Sequence, residues 1–302
     1  MRVLVTGATG FVGKRLLTRL QRPVVLSRDR ARAEKSLAKF NVSAFGWDPE
    51  KPPPAESFDG IDAIIHLAGD PVAEGRWTAD KKRRIRESRV VGTRNLVTTL
   101  RAIGKRPSVL VSASAVGIYG DRGDVQLDEA SPPASDFLAE LCHSWEHEAL
   151  EATQLGMRVA VVRVGIVLGE KGGALGKMLT PFYLGLGSPL GSGNQYMPWI
   201  HIDDLVGIFL HAAAQQQVQG PLNGVAPNPV TNREFTKTLG KVIGRPTFMP
   251  PVPGLVLKTM LGEFAEVLLG SQRVYPVATK RAGYVFQYPE LELALRQILH
   301  RS

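Results

Sequence analysis

VLVTGATGFVG, residues 3–13, decides how the rest of the chain is read. Residues 2–6 form a short apolar run with the length of a buried strand. Glycines follow at 7, 10 and 13, and Phe11, Val12, Leu16, Leu17 and Leu20 then make an apolar stripe of helical period through residue 21. Glycine spaced in this way allows a tight turn and lets the backbone approach a pyrophosphate, while the first N–H groups of the helix face an anion. Alone, a glycine triplet is a weak signal. At the first strand-to-helix turn of a βαβ pattern it is a strong one for a dinucleotide. Gly7, Thr9, Gly10, Phe11, Val12 and Gly13 are the loop candidates.

Outward from this loop, strand-like and helix-like segments alternate. Strands are expected at 23–27, 42–47, 61–67, 108–113 and 157–164, and helices at 78–103 and 135–154. IDAIIHL (61–67) and SVLVSA (108–113) are nearly continuous apolar runs, as befits strands covered on both faces. The alternation predicts an α/β fold with a Rossmann-type doubly wound parallel sheet. From about residue 165 glycine and proline crowd the sequence (GEKGGALG, GLGSPLGSG, FMPPVPG) and strands become short. Residues 1–164 are read as the dinucleotide-binding core. Residues 165–302 are mostly a smaller C-terminal α+β substrate lobe over the carboxyl edge of the sheet, where such folds bind ligands. Residues 200–226, with a helix at 202–214, return to the core.

The end of the second strand bears on which dinucleotide is held. Cofactors lacking a 2′-phosphate are usually met there by an acid bonding the ribose hydroxyls. This chain has Leu26-Ser27-Arg28-Asp29-Arg30. A guanidinium at Arg28 pairs with a phosphate that a carboxylate would repel, and Ser27 can add a hydrogen bond. This favours NADP(H); the alternative is that Arg28 merely begins a solvated helix, and Asp29 stands one position late.

Bulk composition narrows the function classes. The 37 Lys and Arg against 28 Asp and Glu leave a net charge of +9, which passes the first test for nucleic-acid binding. The charge is scattered, however, apart from KKRRIR (81–86) and Arg28, Arg30 and Arg32, and no zinc-finger spacing or RNA-binding aromatic signature accompanies it. The 81–86 cluster reads as a solvated helix face or a contact for a phosphorylated substrate. No stretch approaches the roughly 18 apolar residues needed to cross a bilayer, and with Met1-Arg2 running directly into the first apolar segment no secretory leader is expected. The single cysteine, Cys142, cannot form an internal disulfide. A cytoplasmic protein, monomeric or homodimeric, without a membrane partner, is expected.

Taken together, the motifs resemble the extended short-chain dehydrogenase/reductase family, the NAD(P)-dependent epimerase/dehydratase group. TGATGFVG (6–13) is similar to its opening loop. Trp47-Asp48 follows the third strand, where the family uses an acid near adenine. His66-Leu67-Ala68-Gly69 resembles its ribose-backbone motif, SRVVGT (88–93) its "N-x-x-G-T" helix, SASAVGIYG (112–120) its serine strand and WIHIDDL (199–205) its "I-H-V-D-D" segment. The resemblance implies a nicotinamide dinucleotide as cofactor, which the residues at the second strand make NADP(H), with Asp48, Leu67, Ala68 and Gly69 joining Ser27, Arg28, the candidate Arg89 and the loop residues in holding it. It also implies a tyrosine and a lysine four residues later as the proton-transfer pair. Here those positions are Phe137 and Leu141, and neither transfers a proton. Arg89 replaces the family's helix asparagine. Only the serine has a counterpart, Ser114.

FLAELCHSWEHEA (137–149) and the tail LGEFAEVLLGSQRVYPVATKRAGYVFQYPELELAL (261–295) are similar to an uncharacterised epimerase-family branch with a C-terminal domain of unknown function, here 249–296. Some members carry a cell-division-inhibitor label, and a plastid relative is linked to chloroplast division.

Several residues have two readings. Tyr119 either replaces the missing tyrosine or packs in its turn. Arg89 either holds a phosphate or is a surface helix charge. His201 with Asp203 and Asp204 is either an acid–base pair or a capped helix start. His143-Ser144-Trp145-Glu146-His147 matches an inverted zinc-peptidase pattern, but without a third ligand chance spacing is the better reading, and no metal is expected. Residues 191–195 are a loop over substrate or an ordinary turn. Three functions remain. They are an oxidoreductase or epimerase for an unknown small or nucleotide-linked substrate, with Ser114 and Tyr119 as catalytic candidates; a non-catalytic NADP(H)-binding regulator; and, least favoured, a nucleic-acid binder.

Overall fold

A parallel strand covered on both faces needs apolar side chains on both of its sides, and Val3, Leu4 and Val5 are all buried. Residues 1–170 and 172–301 are described by a computed structural model. The core runs β1 (Val3–Thr6), α1 (Phe11–Leu17), β2 (Val24–Ser27), α2 (Arg30–Leu37), β3 (Ser43–Gly46), β4 (Ala63–His66), α3 (Ala79–Ala102), β5 (Val109–Ala115), β6 (Gln126–Leu127), α4 (Phe137–Leu150) and β7 (Arg158–Val164). The remainder runs β8 (Ile166–Gly169), α5 (Gly173–Tyr183), β9 (Tyr196–Met197), β10 (Trp199–His201), α6 (Ile202–Ala214), β11 (Gly220–Gly224), β12 (Val230–Thr231), α7 (Asn232–Ile243), α8 (Gly254–Leu261), α9 (Phe264–Leu269), β13 (Arg273–Val274), α10 (Val277–Arg281) and α11 (Leu291–Ile298).

Seven parallel strands form the main sheet in the order β3-β2-β1-β4-β5-β7-β11. The chain winds outward from β1 to β3, then restarts with β4 on the other side of β1. The reversal places the loops after β1 and β4 side by side, and such sheets usually bind their ligands outside the carboxyl ends of the strands at this point. Thr6 is level with Leu26 and His66, so β1 and β4 end together there, β2 one residue later, while β5 continues past Ser112 to Ala115. Val3 and Val5 join a core with Leu16 and Leu17 of α1 and Leu205 and Phe209 of α6. Leu4 turns to the other face, with Leu96 and Leu100 of α3 and Ala149 of α4.

Two helices are shorter than their sequence patterns predict. α1 stops at Leu17, where Thr18 turns both its N–H and its hydroxyl onto the Arg15 carbonyl. α4 stops at Leu150 and tightens into a 3₁₀ turn over residues 151–155. Their starts follow capping chemistry: Thr78 accepts from the Lys81 N–H, and Asp136 from those of Leu138 and Ala139.

The second core unites Leu168, Leu175, Trp199, Phe235, Leu239 and Leu295, from β8, α5, β10, α7 and α11. The chain after residue 283 is stapled to α6 by Asp204. Its buried carboxylate accepts from the Tyr284 hydroxyl (3.0 Å) and the backbone N–H groups of Gln287 (2.7 Å) and Tyr288 (2.9 Å). Gly207 makes room for this staple, since a Cβ there would lie 2.2 Å from the Tyr284 hydroxyl oxygen. Gly207→Ala is therefore expected to lower unfolding stability by about 1–3 kcal/mol through overpacking, measured by urea denaturation.

Candidate functional site

The loops after β1 and β4 touch backbone to backbone. Gly7 has φ +67, and a Cβ on it would lie 2.7 Å from the carbonyl carbon and oxygen of Leu67. A Cβ on Gly13 would lie 2.3 Å from the Gly7 carbonyl oxygen, so that glycine lets the first turn of α1 close on the loop. Gly10 donates to the Gly7 carbonyl (3.0 Å) and leads into α1 with no side-chain cap. Thr9 and Gly10 are exposed at the mouth. The Phe11 ring lies under the turn after β8, where Cβ atoms at Gly169 and Gly172 would stand 2.6 and 2.5 Å from it.

A buried polar chain fixes this arrangement. The Thr6 hydroxyl oxygen accepts from the N–H groups of Leu67 (3.1 Å) and Ala68 (3.0 Å). Its own hydrogen is then left for His66 Nδ1 (2.7 Å), so His66 carries its proton on Nε2 and donates to the Thr93 hydroxyl (2.9 Å). Burial, followed by the nearby Arg89 guanidinium, pushes the His66 pKa down to about 4. The imidazole is neutral at pH 7 and serves as a wire between sheet and helix.

At the end of β2 the residues divide their tasks. Asp29 caps α2 by accepting from the Arg32 N–H (2.9 Å), which explains the acid standing one position late. The helix therefore begins at Arg30 rather than at Arg28. Arg28 is exposed and makes no hydrogen bond or ion pair among the described residues. The Ser27 hydroxyl donates to the Asp29 carbonyl (3.1 Å), and exposed Asp48 accepts from the Glu50 N–H (3.1 Å).

Arg89 is neither a surface charge nor a free phosphate ligand. It donates to the carbonyls of Asp70 (3.0 Å) and Ile85 (3.2 Å), and its guanidinium lies 5.2 Å from the centre of the Trp145 ring. Burial lowers its pKa. A Cβ on Gly69 would lie 2.8 Å from the guanidinium carbon, so Arg89 props the 67–69 loop from behind.

The proton-transfer end differs from the sequence expectation. Ser114 is buried and donates to Glu146 Oε1 at 2.6 Å. Arg163 grips both oxygens of the same carboxylate, each at 3.0 Å. Tyr119 is fully buried, donating to Asn223 Oδ1 (2.7 Å) and accepting from Arg163 Nη1 (3.0 Å). Burial pushes its pKa up to about 12. A hydroxyl committed in both directions and closed off from any ligand packs the turn, so the geometry assigns Tyr119 a structural role in place of the expected proton-transfer one. Phe137 and Leu141 line α4 where a tyrosine and a lysine were sought, with Leu141 buried in the core.

The remaining candidates also find structural partners. His201 accepts from the Asp203 N–H through Nδ1 (3.0 Å) and meets Gln297 through Nε2 (2.9 Å), so it caps α6. Asp203 is held by Arg15 at 2.5 and 2.8 Å. In α4, Glu146 turns inward while His143 and His147 are exposed, so the three cannot converge on a metal. Residues 191–195 form a turn pinned to α7 through Asn232 and Arg233.

The profile of the NAD dependent epimerase/dehydratase family matches residues 3–223. The chain belongs to this family. A further profile, a domain of unknown function (DUF1731), matches residues 252–298. Among curated relatives, the chain is 41% identical over 305 residues to the chloroplastic SDR39U1 homolog of Arabidopsis thaliana, an epimerase family protein, covering 99% of this chain and 87% of the relative. It is 36% identical over 304 residues to the epimerase family protein YfhF of Bacillus subtilis, covering 99% and 98%. Among solved structures, the human epimerase family protein SDR39U1 (isoform 2), crystallised with NADPH, superposes with a TM-score of 0.88 at 36% identity and covers both chains completely.

Two buried networks at the site escaped the sequence reading, Thr6–His66–Thr93 and Glu146–Arg163. Their signal was a polar residue inside an otherwise apolar strand, as in AIIH and RVAVVRV. The first network carries a pH signature. An unfolded histidine titrates near 6.5 and His66 near 4, so the folded state resists protonation. Its stabilising effect is complete above about pH 6.5 and is lost as pH falls toward 4, a contribution on the order of 3 kcal/mol. Urea unfolding between pH 7 and 4 is expected to show a shallower pH slope for His66→Gln than for the native chain.

Proposed function

We propose that the chain is an NADP(H)-dependent oxidoreductase of the epimerase family, acting on a small or nucleotide-linked substrate. The observation that carries the cofactor reading is Arg28, a guanidinium just past the end of β2 with no partner among the described residues, beside an aspartate already spent on capping. The cradle fits such a group. Glycines at 7, 10 and 13 bring backbone where side chains would intrude, and the first turn of α1 has no side-chain acceptor for its N–H groups. The NADPH of the human relative's crystal structure agrees with this reading.

In this reading Gly7, Thr9, Gly10, Phe11, Val12 and Gly13 cradle the pyrophosphate. Ser27 and Arg28 meet the 2′-phosphate, Asp48 lies toward the adenine, and Leu67, Ala68 and Gly69, braced by Arg89, support the nicotinamide half. Bound NADP(H) supplies a hydride donor or acceptor. Ser114 donates its hydroxyl hydrogen to Glu146, which Arg163 holds, so its oxygen is left as an acceptor for a substrate hydroxyl. Phe137 and Leu141 supply no proton, which favours reactions whose proton comes from solvent or from the substrate. The same two residues favour the second reading, a cofactor-binding regulator without turnover. The buried free thiol of Cys142, whose pKa burial raises to about 12, suits a reducing compartment such as the cytoplasm.

Arg28→Asp is expected to weaken NADPH binding by more than about tenfold and NADH binding by less than about twofold, read by fluorescence titration. Equal losses would remove the 2′-phosphate assignment. Turnover is tested by NADPH oxidation against fractionated metabolite pools. Ser114→Ala is expected to slow it by about tenfold or more, whereas Tyr119→Phe changes stability and leaves kcat within about threefold. A complete lack of oxidation, joined to a protein partner retained only with NADPH, favours the regulator.

A further inference from the structure

The segment before α3 and the first turn of α3 are fastened to the C-terminal unit at three points. Arg76 Nη2 donates to the Thr259 carbonyl (2.7 Å), the Trp77 and Phe264 rings lie 5.9 Å apart, and the Lys82 ammonium pairs with the Glu263 carboxylate. Lys82 has a second environment. Its ammonium sits 5.2 Å from the centre of the Phe137 ring and 5.9 Å from that of Trp77, and those two rings meet edge to face at 5.5 Å. Phe137 stands where the family places its proton-transferring tyrosine, so this cluster borders the ground where a substrate would react.

Among the neighbouring cations, Lys82 is the one that lies over the Trp77 and Phe137 rings and pairs with the C-terminal unit. Lys81 is buried on Asp70 (2.8 Å), and Arg83 pairs with Asp80 (3.1 Å) within α3. Glu263 is more than half exposed, and among the described residues its carboxylate has no partner other than Lys82. It follows Gly262, a left-handed residue (φ +62) with open space around it between α8 and α9, so the carboxylate sits on a short turn rather than inside a helix. An ammonium over two aromatic rings attracts an anion and has apolar ring surface beside it.

We propose that Lys82, Trp77 and Phe137 form a subsite for a carboxylate, or another single anionic group, joined to a flat apolar ring. Glu263 of the C-terminal unit occupies the anion position until such a ligand displaces it. The proposal rests on the reading of this cleft as a substrate site, and it gives the C-terminal unit a part in choosing the substrate. A ligand that must displace an internal carboxylate binds with an affinity reduced by the fraction of time the position is filled. Removing that carboxylate raises affinity for anions and leaves neutral analogues untouched.

Naphthalene-2-carboxylate and its neutral amide are the probes, titrated calorimetrically into the full chain without cofactor. Glu263→Gln is expected to tighten carboxylate binding by about fivefold or more while amide binding stays within about twofold. Lys82→Met is expected to bind the carboxylate no better than the amide, with thermal unfolding showing that both variants fold. The proposal is overturned if Glu263→Gln leaves carboxylate affinity unchanged or undetectable, if it tightens the amide equally, or if Lys82→Met still prefers the carboxylate. NADPH titrated separately into the native chain tests the cofactor reading alone, because the probe measurements contain none.

Discussion

The contact between the Gly7 backbone and the Leu67–Ala68 backbone sets the geometry on which the site depends. No side chain fits between them, and a left-handed residue is required at position 7. The Leu67 N–H reaches the Thr6 carbonyl (3.3 Å) as well, but the Ala68 N–H needs an acceptor standing between the loops. The Thr6 hydroxyl is that acceptor, for both Leu67 and Ala68. Because its lone pairs are taken, its hydrogen must go to His66, and His66 in turn must donate to Thr93 on α3. One close approach thus dictates a threonine, a neutral histidine and a second threonine, each on a different element. An unsatisfied group anywhere in this chain would cost roughly 1–3 kcal/mol, which makes the three residues a unit.

A second buried network governs the other end of the cleft, with a different outcome. Arg163 projects from β7 into the interior and is held by both Glu146 oxygens, the Tyr119 hydroxyl and the Glu129 carbonyl. The Glu129 carboxylate meanwhile accepts from the backbone of Asn223, Ala278 and Thr279, tying β11 and α10 to the core. Ser114 and Tyr119, the two hydroxyls nearest to a family-like catalytic role, are both drawn into this network. Ser114 gains orientation from it. Tyr119 gives up its freedom to it. The missing tyrosine and lysine are therefore not replaced from this direction; their place is taken by an aromatic surface of Phe137 and Trp77 with an ammonium above it.

What could be read from sequence follows the same division. The parallel sheet was legible because continuous apolar runs behind a glycine-rich first turn fit few folds besides a doubly wound one. The helix at 202–214 was legible for a similar reason, as a periodic stripe with acids at its start, and α6 spans Ile202–Ala214. His201 was ambiguous because a histidine before two aspartates serves equally as a cap or as half of an acid–base pair. Only the Asp203 N–H pointing at Nδ1 decides it. Tyr119 and Arg89 were ambiguous because burial is a property of the assembled layers. A tyrosine in a turn and an arginine on a helix carry no local sign of whether they face water. The Lys82–Glu263 pair joins residues far apart in sequence, and no periodicity announces such a contact.

The two halves of the site are written in different chemical terms, and that difference explains why the cofactor is easier to infer than the substrate. The cofactor half is made mostly of backbone, shaped by residues chosen for what they lack: no Cβ at 7 and 13, no side-chain cap before α1, no carboxylate at 28. Such requirements are strict, so they leave a recognisable pattern. In the proposed reading the substrate half is made of side chains contributed by α3, α4, the segment before α3 and the C-terminal unit, and each can be exchanged while the sheet beneath stays the same. Substituting Phe137 and Leu141 for a proton-transfer pair changes the chemistry without disturbing a single strand. A missing tyrosine combined with an intact cofactor cradle is thus a stable combination. The identity of the substrate has to be sought in the charge and shape of the exchangeable half, where a cation over two rings is held by a glutamate from the far end of the chain.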